Sequence, residues 1–187
     1  LPKKNNSFIL KIILKYFLLK FFDSYIVYSS YGRDFLIEKY NINPNKVFVA
    51  LNISNIDSII RYKDAFDKNF KTIKNDTDDF DNSKFTIITS GNLEKNKNFE
   101  LILNAFKFLP KNEFNLIFLG RGEYKNALIN IERELNLKNI YFLGHVNWEK
   151  MIQYYSYSDL FVLPGRGGMV ISEAMACGLP VILHAGR

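Results

Sequence analysis

The sequence predicts a doubly wound α/β domain built on a parallel sheet, and three observations predict it. Short runs that are apolar throughout recur with helical patterns between them, which is how strands read when helices cover both faces of their sheet. Glycine turns follow three of these runs, at Ser90-Gly91-Asn92, Leu119-Gly120-Arg121-Gly122 and Pro164-Gly165-Arg166-Gly167-Gly168. The 187 residues are 48% hydrophobic and 24% charged, enough apolar mass for a core and the wrong balance for a disordered or collagen-like chain.

Taken in order, residues 25–28 and 46–51 are β-rich runs, with a helical pattern at 31–40 that ends before Asn43-Pro44, because the residue before a proline is pushed out of helical conformation. Residues 68–83 carry Asp76, Asp78, Asp79 and Asp81 without apolar period, and read as a linker or long surface loop. Strands are then expected at 85–88, 114–119, 140–143, 160–163 and 180–183, and helices at 99–109, 124–135, 148–155 and 169–176. The chain opens on Leu1 rather than Met, and nothing follows the last strand-like run to pack against it, so it reads as a piece of a longer protein.

Charge is uneven. The formal net charge is +6, and Lys3, Lys4, Lys11, Lys15 and Lys20 all precede the first acidic residue, Asp23. The rest is close to neutral, which is not the footprint of a nucleic-acid binder, and the aromatic residues fall mostly inside strand-like runs, where they read as core. Residues 8–22 are nearly all apolar, with Lys4, Lys11 and Lys15 on one narrow helical face. Two readings stay open there: a basic amphipathic helix on an anionic bilayer surface, or a helix packed on a sheet outside this sequence. The run is too short and too interrupted by lysine for a membrane span, and it lacks a signal-peptide cleavage site. Cys177 is the single cysteine and cannot complete a four-ligand zinc site with His145 and His184. The expected location is cytoplasmic, at the membrane's cytoplasmic face under the first reading of residues 8–22.

The glycine turn at residues 164–168 lies between a strand and a helix start. That arrangement puts unpaired backbone N–H groups and the positive end of a helix dipole at the sheet's binding edge, a site for an anion and above all for phosphate. Neither a Gly-x-Gly-x-x-Gly run nor a P-loop is present, so a dehydrogenase or P-loop NTPase is not expected. Glu173, one turn into the helix, could accept from ribose hydroxyls, and Lys97 follows the Gly91 turn at the same edge. Glycine also simply ends strands, and a carboxylate at a helix start or a lysine in a loop is commonly just solvated. What points to a site is their coincidence on one edge of one sheet.

The run from Pro164 through Glu173-Ala174-Met175-Ala176-Cys177-Gly178-Leu179-Pro180 to Ile182 closely resembles the donor-site signature of family-4-like glycosyltransferases of the GT-B fold. Gly91-Asn92-Leu93 with Lys97 resembles the family's diphosphate segment, Gly120-Arg121-Gly122 its Gly-x-Gly turn, and Gly144-His145-Val146 the turn beside the base. Ser29-Ser30-Tyr31-Gly32 and Val49-Ala50-Leu51-Asn52 resemble the end of the amino-terminal domain.

The resemblance implies a Rossmann-like, doubly wound carboxyl-terminal domain preceded by the tail of a second Rossmann-like domain. Residues 1–52 would be that tail, 53–83 a linker region and 84–187 the nucleotide-sugar-binding domain. It further implies that Glu173 binds ribose, that the N–H groups of Met169 and Val170 hold diphosphate together with Lys97, and that Val146 lies near the base. Gly91, Asn92, Gly120, Gly167 and Gly168 complete the donor site, and no catalytic residue is assigned. The implied activity is retaining transfer of a sugar from a nucleotide sugar to a glycan or lipid-linked acceptor in polysaccharide biosynthesis, as a hexosyltransferase-type enzyme. No metal or other cofactor is implied, and these residues alone are expected to be inactive. Two positions depart from the family: Gly165 stands where a Glu often precedes Glu173 by eight residues, and Asn92 where an Arg is usual. A non-catalytic nucleotide-sugar-binding module and a GT-B epimerase are the alternatives.

Overall fold

The computed structural model describes residues 17–19, 21–51, 54–66 and 80–184, and the chain forms two compact units, Leu1–Asn52 and Ile53–Arg187. Most of the helix expected over residues 8–22 lies outside the described residues. Of its carboxyl-terminal end, Phe17, Leu18, Phe21 and Phe22 are exposed.

The first unit is a β-α-β element. Strand β1 (Tyr25–Val27) pairs in parallel with β2 (Val47–Val49), and helix α1 (Ser30–Tyr40) connects them. Ser29 caps α1 by accepting from the Gly32 N–H at 3.1 Å, and Asn41 ends it in the left-handed conformation at φ 51°, a region that asparagine tolerates. Ile42 and Val47 are buried, whereas Ile26, Tyr28 and Phe48 are exposed.

The second unit carries a five-stranded parallel sheet in the order β5-β4-β3-β6-β7, formed by β3 (Phe85–Ser90), β4 (Phe114–Leu119), β5 (Ile140–Gly144), β6 (Leu160–Leu163) and β7 (Val181–Leu183). Helices α3 (Glu100–Phe106), α4 (Lys125–Glu134), α5 (Trp148–Tyr157) and α6 (Met169–Ala176) alternate with the strands. Successive strands step outward from β3 to β5, and the chain then returns across the sheet to place β6 on the other side of β3. The order therefore reverses between β3 and β6, and that reversal opens a crevice at the carboxyl ends of the strands.

The core follows from the strands' apolar runs. Ile88, Leu116, Ile117, Phe118, Phe161 and Leu163 are all fully buried. Phe118 stacks on Phe142 with centroids 4.7 Å apart and meets Phe99 edge-on at 5.9 Å. Polar side chains inside the sheet find partners: Asn115 donates to the Asp81 carbonyl at 2.8 Å, and the Asp159 carboxylate accepts from the Thr86 N–H at 2.7 Å.

The stretch 53–83, read from sequence as a linker region, contains helix α2 (Ile56–Phe66), which packs on α5 and α6. Ile56, Ile59 and Tyr62 recur every third residue on one face, and Ile59 is fully buried. Phe80, within the acidic run, is buried against Tyr141 and Tyr157. Phe80 gives no sequence signal, since one buried aromatic among acidic neighbours makes no period of its own, whereas α2 carries a readable apolar period inside a stretch taken whole as a linker.

Candidate functional site

Each glycine turn closes on another turn rather than simply ending a strand. Gly120 has φ +135°, and a Cβ there would overlap the Gly91 carbonyl oxygen; at Gly122 it would overlap the Leu93 carbonyl. The Gly91 N–H donates to the Leu119 carbonyl at 3.0 Å, and the Gly120 N–H to the Gly144 carbonyl at 2.7 Å. The ends of β3, β4 and β5 are thereby laced together by backbone alone. On the other side of β3, a Cβ at Gly165 would overlap the Lys97 backbone, so the loop after β6 lies directly on the loop after β3. Lys97 Nζ donates to the Arg166 carbonyl at 2.5 Å, and the Arg166 N–H reaches the Asn96 carbonyl at 3.4 Å.

Two adjoining clefts result. One, of about 220 Å³, is walled by Ser90, Gly120, Arg121, His145, Val146 and Met151. The other, of about 460 Å³, lies between Glu94, Asn96 and Lys97 on the β3 side and Arg166, Gly167 and Gly168 on the β6 side. Gly91, Asn92 and Val170 line both. Helix α6 points its amino end at this junction. Gly168 is extended, no side chain caps the helix, and the Ser172 hydroxyl turns back to the Met169 carbonyl at 2.8 Å. Uncapped N–H groups at a helix start carry the positive end of its dipole.

Of the residues expected at a site, Gly91, Asn92, Lys97, Gly120, Val146, Gly167, Gly168 and Val170 all line one or both clefts. Met169 begins α6 beside them and is exposed. Glu173 lines neither cleft: it is 8% exposed, and its Oε1 accepts from the Ser54 hydroxyl at 2.6 Å. Asn92 Nδ2 donates to Glu94 Oε1 at 3.4 Å, and Asn96 Nδ2 to Glu94 Oε2 at 3.2 Å. Lys97 is joined by two further cations, since Arg121 and Arg166 also line the clefts.

Beneath the junction, the Ser90 and Tyr155 hydroxyls share a hydrogen bond, and burial holds the Tyr155 phenol well above its ordinary range. Burial likewise pushes the Cys177 thiol up to about 11, so it is protonated at neutral pH and a poor nucleophile. Among the described residues, no group of three His, Cys, Asp or Glu side chains is placed to hold a metal ion.

Residues 70–187 match the model of the family described as glycosyl transferases group 1. The chain belongs to that family. It is 29% identical over 180 residues to an uncharacterized glycosyltransferase of Methanocaldococcus jannaschii, covering 91% of this chain and 42% of the relative. It is also 25% identical, over 79% of its own length and 37% of the relative's, to the N-acetylgalactosamine-N,N'-diacetylbacillosaminyl-diphospho-undecaprenol 4-alpha-N-acetylgalactosaminyltransferase of Campylobacter jejuni. Among solved structures, the sucrose-phosphate synthase of Thermosynechococcus elongatus superposes with a TM-score of 0.68 at 18% identity, over 97% of this chain and 44% of that one. Anabaena HepE in complex with UDP superposes with a TM-score of 0.62 at 20% identity, over 88% and 45%. The second unit of this group 1 chain thus has the doubly wound sheet of GT-B glycosyltransferases, and the chain spans less than half the length of these relatives.

Arg121, Arg166, Glu94, Asn96 and Ser54 are polar residues at or beside this site that sequence reasoning passed over. For the two arginines the signal was present, since each sits inside a glycine turn of the motif. Glu94 and Ser54 had none, because their partners come from other segments or from a loop without a local pattern.

Proposed function

We propose that this group 1 chain binds a nucleotide sugar across the two clefts, as the donor half of a transferase that moves the sugar to a glycan or lipid-linked acceptor. The observation that carries the reading is the meeting of both clefts at the strand-order reversal, under the uncapped start of α6 and beside Lys97, Arg121 and Arg166. Diphosphate would lie on the Met169 and Val170 N–H groups and on Lys97, the base near Val146, and the ribose over Glu173. Charge on the leaving diphosphate would be stabilised by these donors without a metal or other cofactor. A lipid-linked acceptor fits a relative named for a diphospho-undecaprenol acceptor; the transfer we propose is retaining and serves polysaccharide biosynthesis.

Lys97→Ala is expected to weaken nucleoside diphosphate binding by about 1.5–3 kcal/mol, the scale of a hydrogen bond to a charged group, while leaving nucleoside binding nearly unchanged. Calorimetry with both ligands decides it. Equal losses for the two would make Lys97 a solvated loop residue that merely touches Arg166.

Residues 1–187 alone are expected to bind donor without transferring sugar, because the acceptor has to be held against the donor for much of the rate enhancement and the first unit supplies only two described strands. Donor-dependent glycosylation by this chain alone overturns that. One observation favours a binding-only module instead: a Cβ at Gly165 would overlap the Lys97 backbone, so this position has no room for the Glu that the family resemblance leads one to expect there. Sugar transfer by a protein that contains this chain would exclude the module. Cytoplasmic location, with peripheral contact of residues 8–22 on an anionic membrane, completes the proposal; among the described residues no helix is long and apolar enough to cross a membrane.

A further inference from the structure

Glu173 sits three residues after Val170, the α6 residue that lines both clefts, so the two share one face of the helix. Glu173 is only 8% exposed, and a charged side chain at such a position needs hydrogen-bond donors. The Ser54 hydroxyl supplies one, at 2.6 Å to Oε1.

Ser54 is held by helix α2 and not by the sheet. Next to it, Asn55 Oδ1 accepts from the Ser58 N–H at 3.1 Å and caps the helix start. Ile59 anchors α2 in the core, and Gln153 Nε2 of α5 donates to the Tyr62 hydroxyl at 3.2 Å. A serine hydroxyl has a single proton to give, and an ionised carboxylate has about four acceptor positions, so the bond to Oε1 leaves Oε2 with its acceptor capacity.

We propose that Ser54 is a positioning residue for nucleotide recognition, orienting the Glu173 carboxylate so that its remaining oxygen accepts from the ribose hydroxyls. The inference rests on the nucleotide reading above. Ser54 fixes a long, otherwise rotatable side chain before the ligand arrives, and such preorganisation raises affinity by removing the ordering step from binding.

The test is calorimetry on the full chain with UDP, GDP, ADP and CDP, followed by the 2′,3′-dideoxy form of whichever binds most tightly. Wild type is expected to bind the ribonucleotide about tenfold more tightly than the dideoxy form. Ser54→Ala should shrink that ratio to about twofold, with the dideoxy affinity unchanged, and Ser54→Thr should restore it because threonine keeps the hydroxyl. Glu173→Ala should abolish the preference because it removes the acceptor altogether, and thermal melts confirm that each variant is folded. A Ser54→Ala chain that retains the full ratio, or that loses affinity equally for both sugars, overturns the positioning role while the nucleotide site stands. If none of the four nucleotides binds, the nucleotide reading itself falls and the inference falls with it.

Discussion

Alanine at Gly165 is expected to remove measurable nucleoside diphosphate binding and to cost about 1–3 kcal/mol of stability, the range for forcing atoms into packed space. A Cβ at this position would overlap three backbone atoms of Lys97, and backbone cannot swing aside as the tip of a side chain can. The loop after β6 would have to lift off the loop after β3. Lifting it breaks the Lys97 bond to the Arg166 carbonyl and tilts the cleft wall formed by Arg166, Gly167 and Gly168. Gly168→Ala is the control. Its backbone is extended and an added Cβ meets no atom within 4 Å, so its denaturation midpoint should match wild type, with a change within about 0.5 kcal/mol. Urea melts and calorimetry on the two variants give the answer. Coincident melting of Gly165→Ala and wild type would mean that the two loops do not touch as described.

Phe118→Ala is expected to lower unfolding free energy by about 3–5 kcal/mol, the usual loss for truncating a buried phenylalanine. Phe118 is fully buried in β4, stacked on Phe142 of β5 and edge-on to Phe99 beside α3, so the void would open where three elements meet. Against a domain stability of about 5–15 kcal/mol, that loss leaves a marginal fold. Since Leu119 and Gly120 follow directly and wall the smaller cleft, ligand binding should fall with the folded population. Phe85→Ala makes the comparison, because Phe85 is 43% exposed at the start of β3 and should change stability far less. A Phe118→Ala midpoint within about 1 kcal/mol of wild type would show that the sheet does not pack through this ring stack.

Where local pattern and burial agree, the elements were legible before the structure. Strand β4 at 114–119 and helix α6 at 169–176 occupy the expected residues. Strand β3 runs two residues beyond its expected end at 88, because Thr89 and Ser90 pair with Phe118 and Leu119. Polar residues ahead of a glycine look like a turn, yet the ladder with β4 carries them into the sheet and buries both. Helix α2 was misread although its own residues carry the signal: Ile56, Ile59 and Tyr62 recur on one face, and the acidic, aperiodic run that follows drew the whole stretch into a linker reading.

By itself the sequence determined the alternation of strands and helices, the parallel sheet buried on both faces and the glycine turns at the carboxyl ends of the strands. These are local properties, written in which side chains must leave water and where the backbone must turn without a Cβ. Only the tertiary structure decided which turns meet. The order β5-β4-β3-β6-β7 brings the loops after β3 and β6 together over one crevice, makes Gly165 sterically obligatory and Gly168 not, and joins Ser54 to Glu173 across 119 residues of chain. Periodicity records that a residue is buried, whereas its partner depends on the order in which distant strands assemble, and no local pattern carries that order.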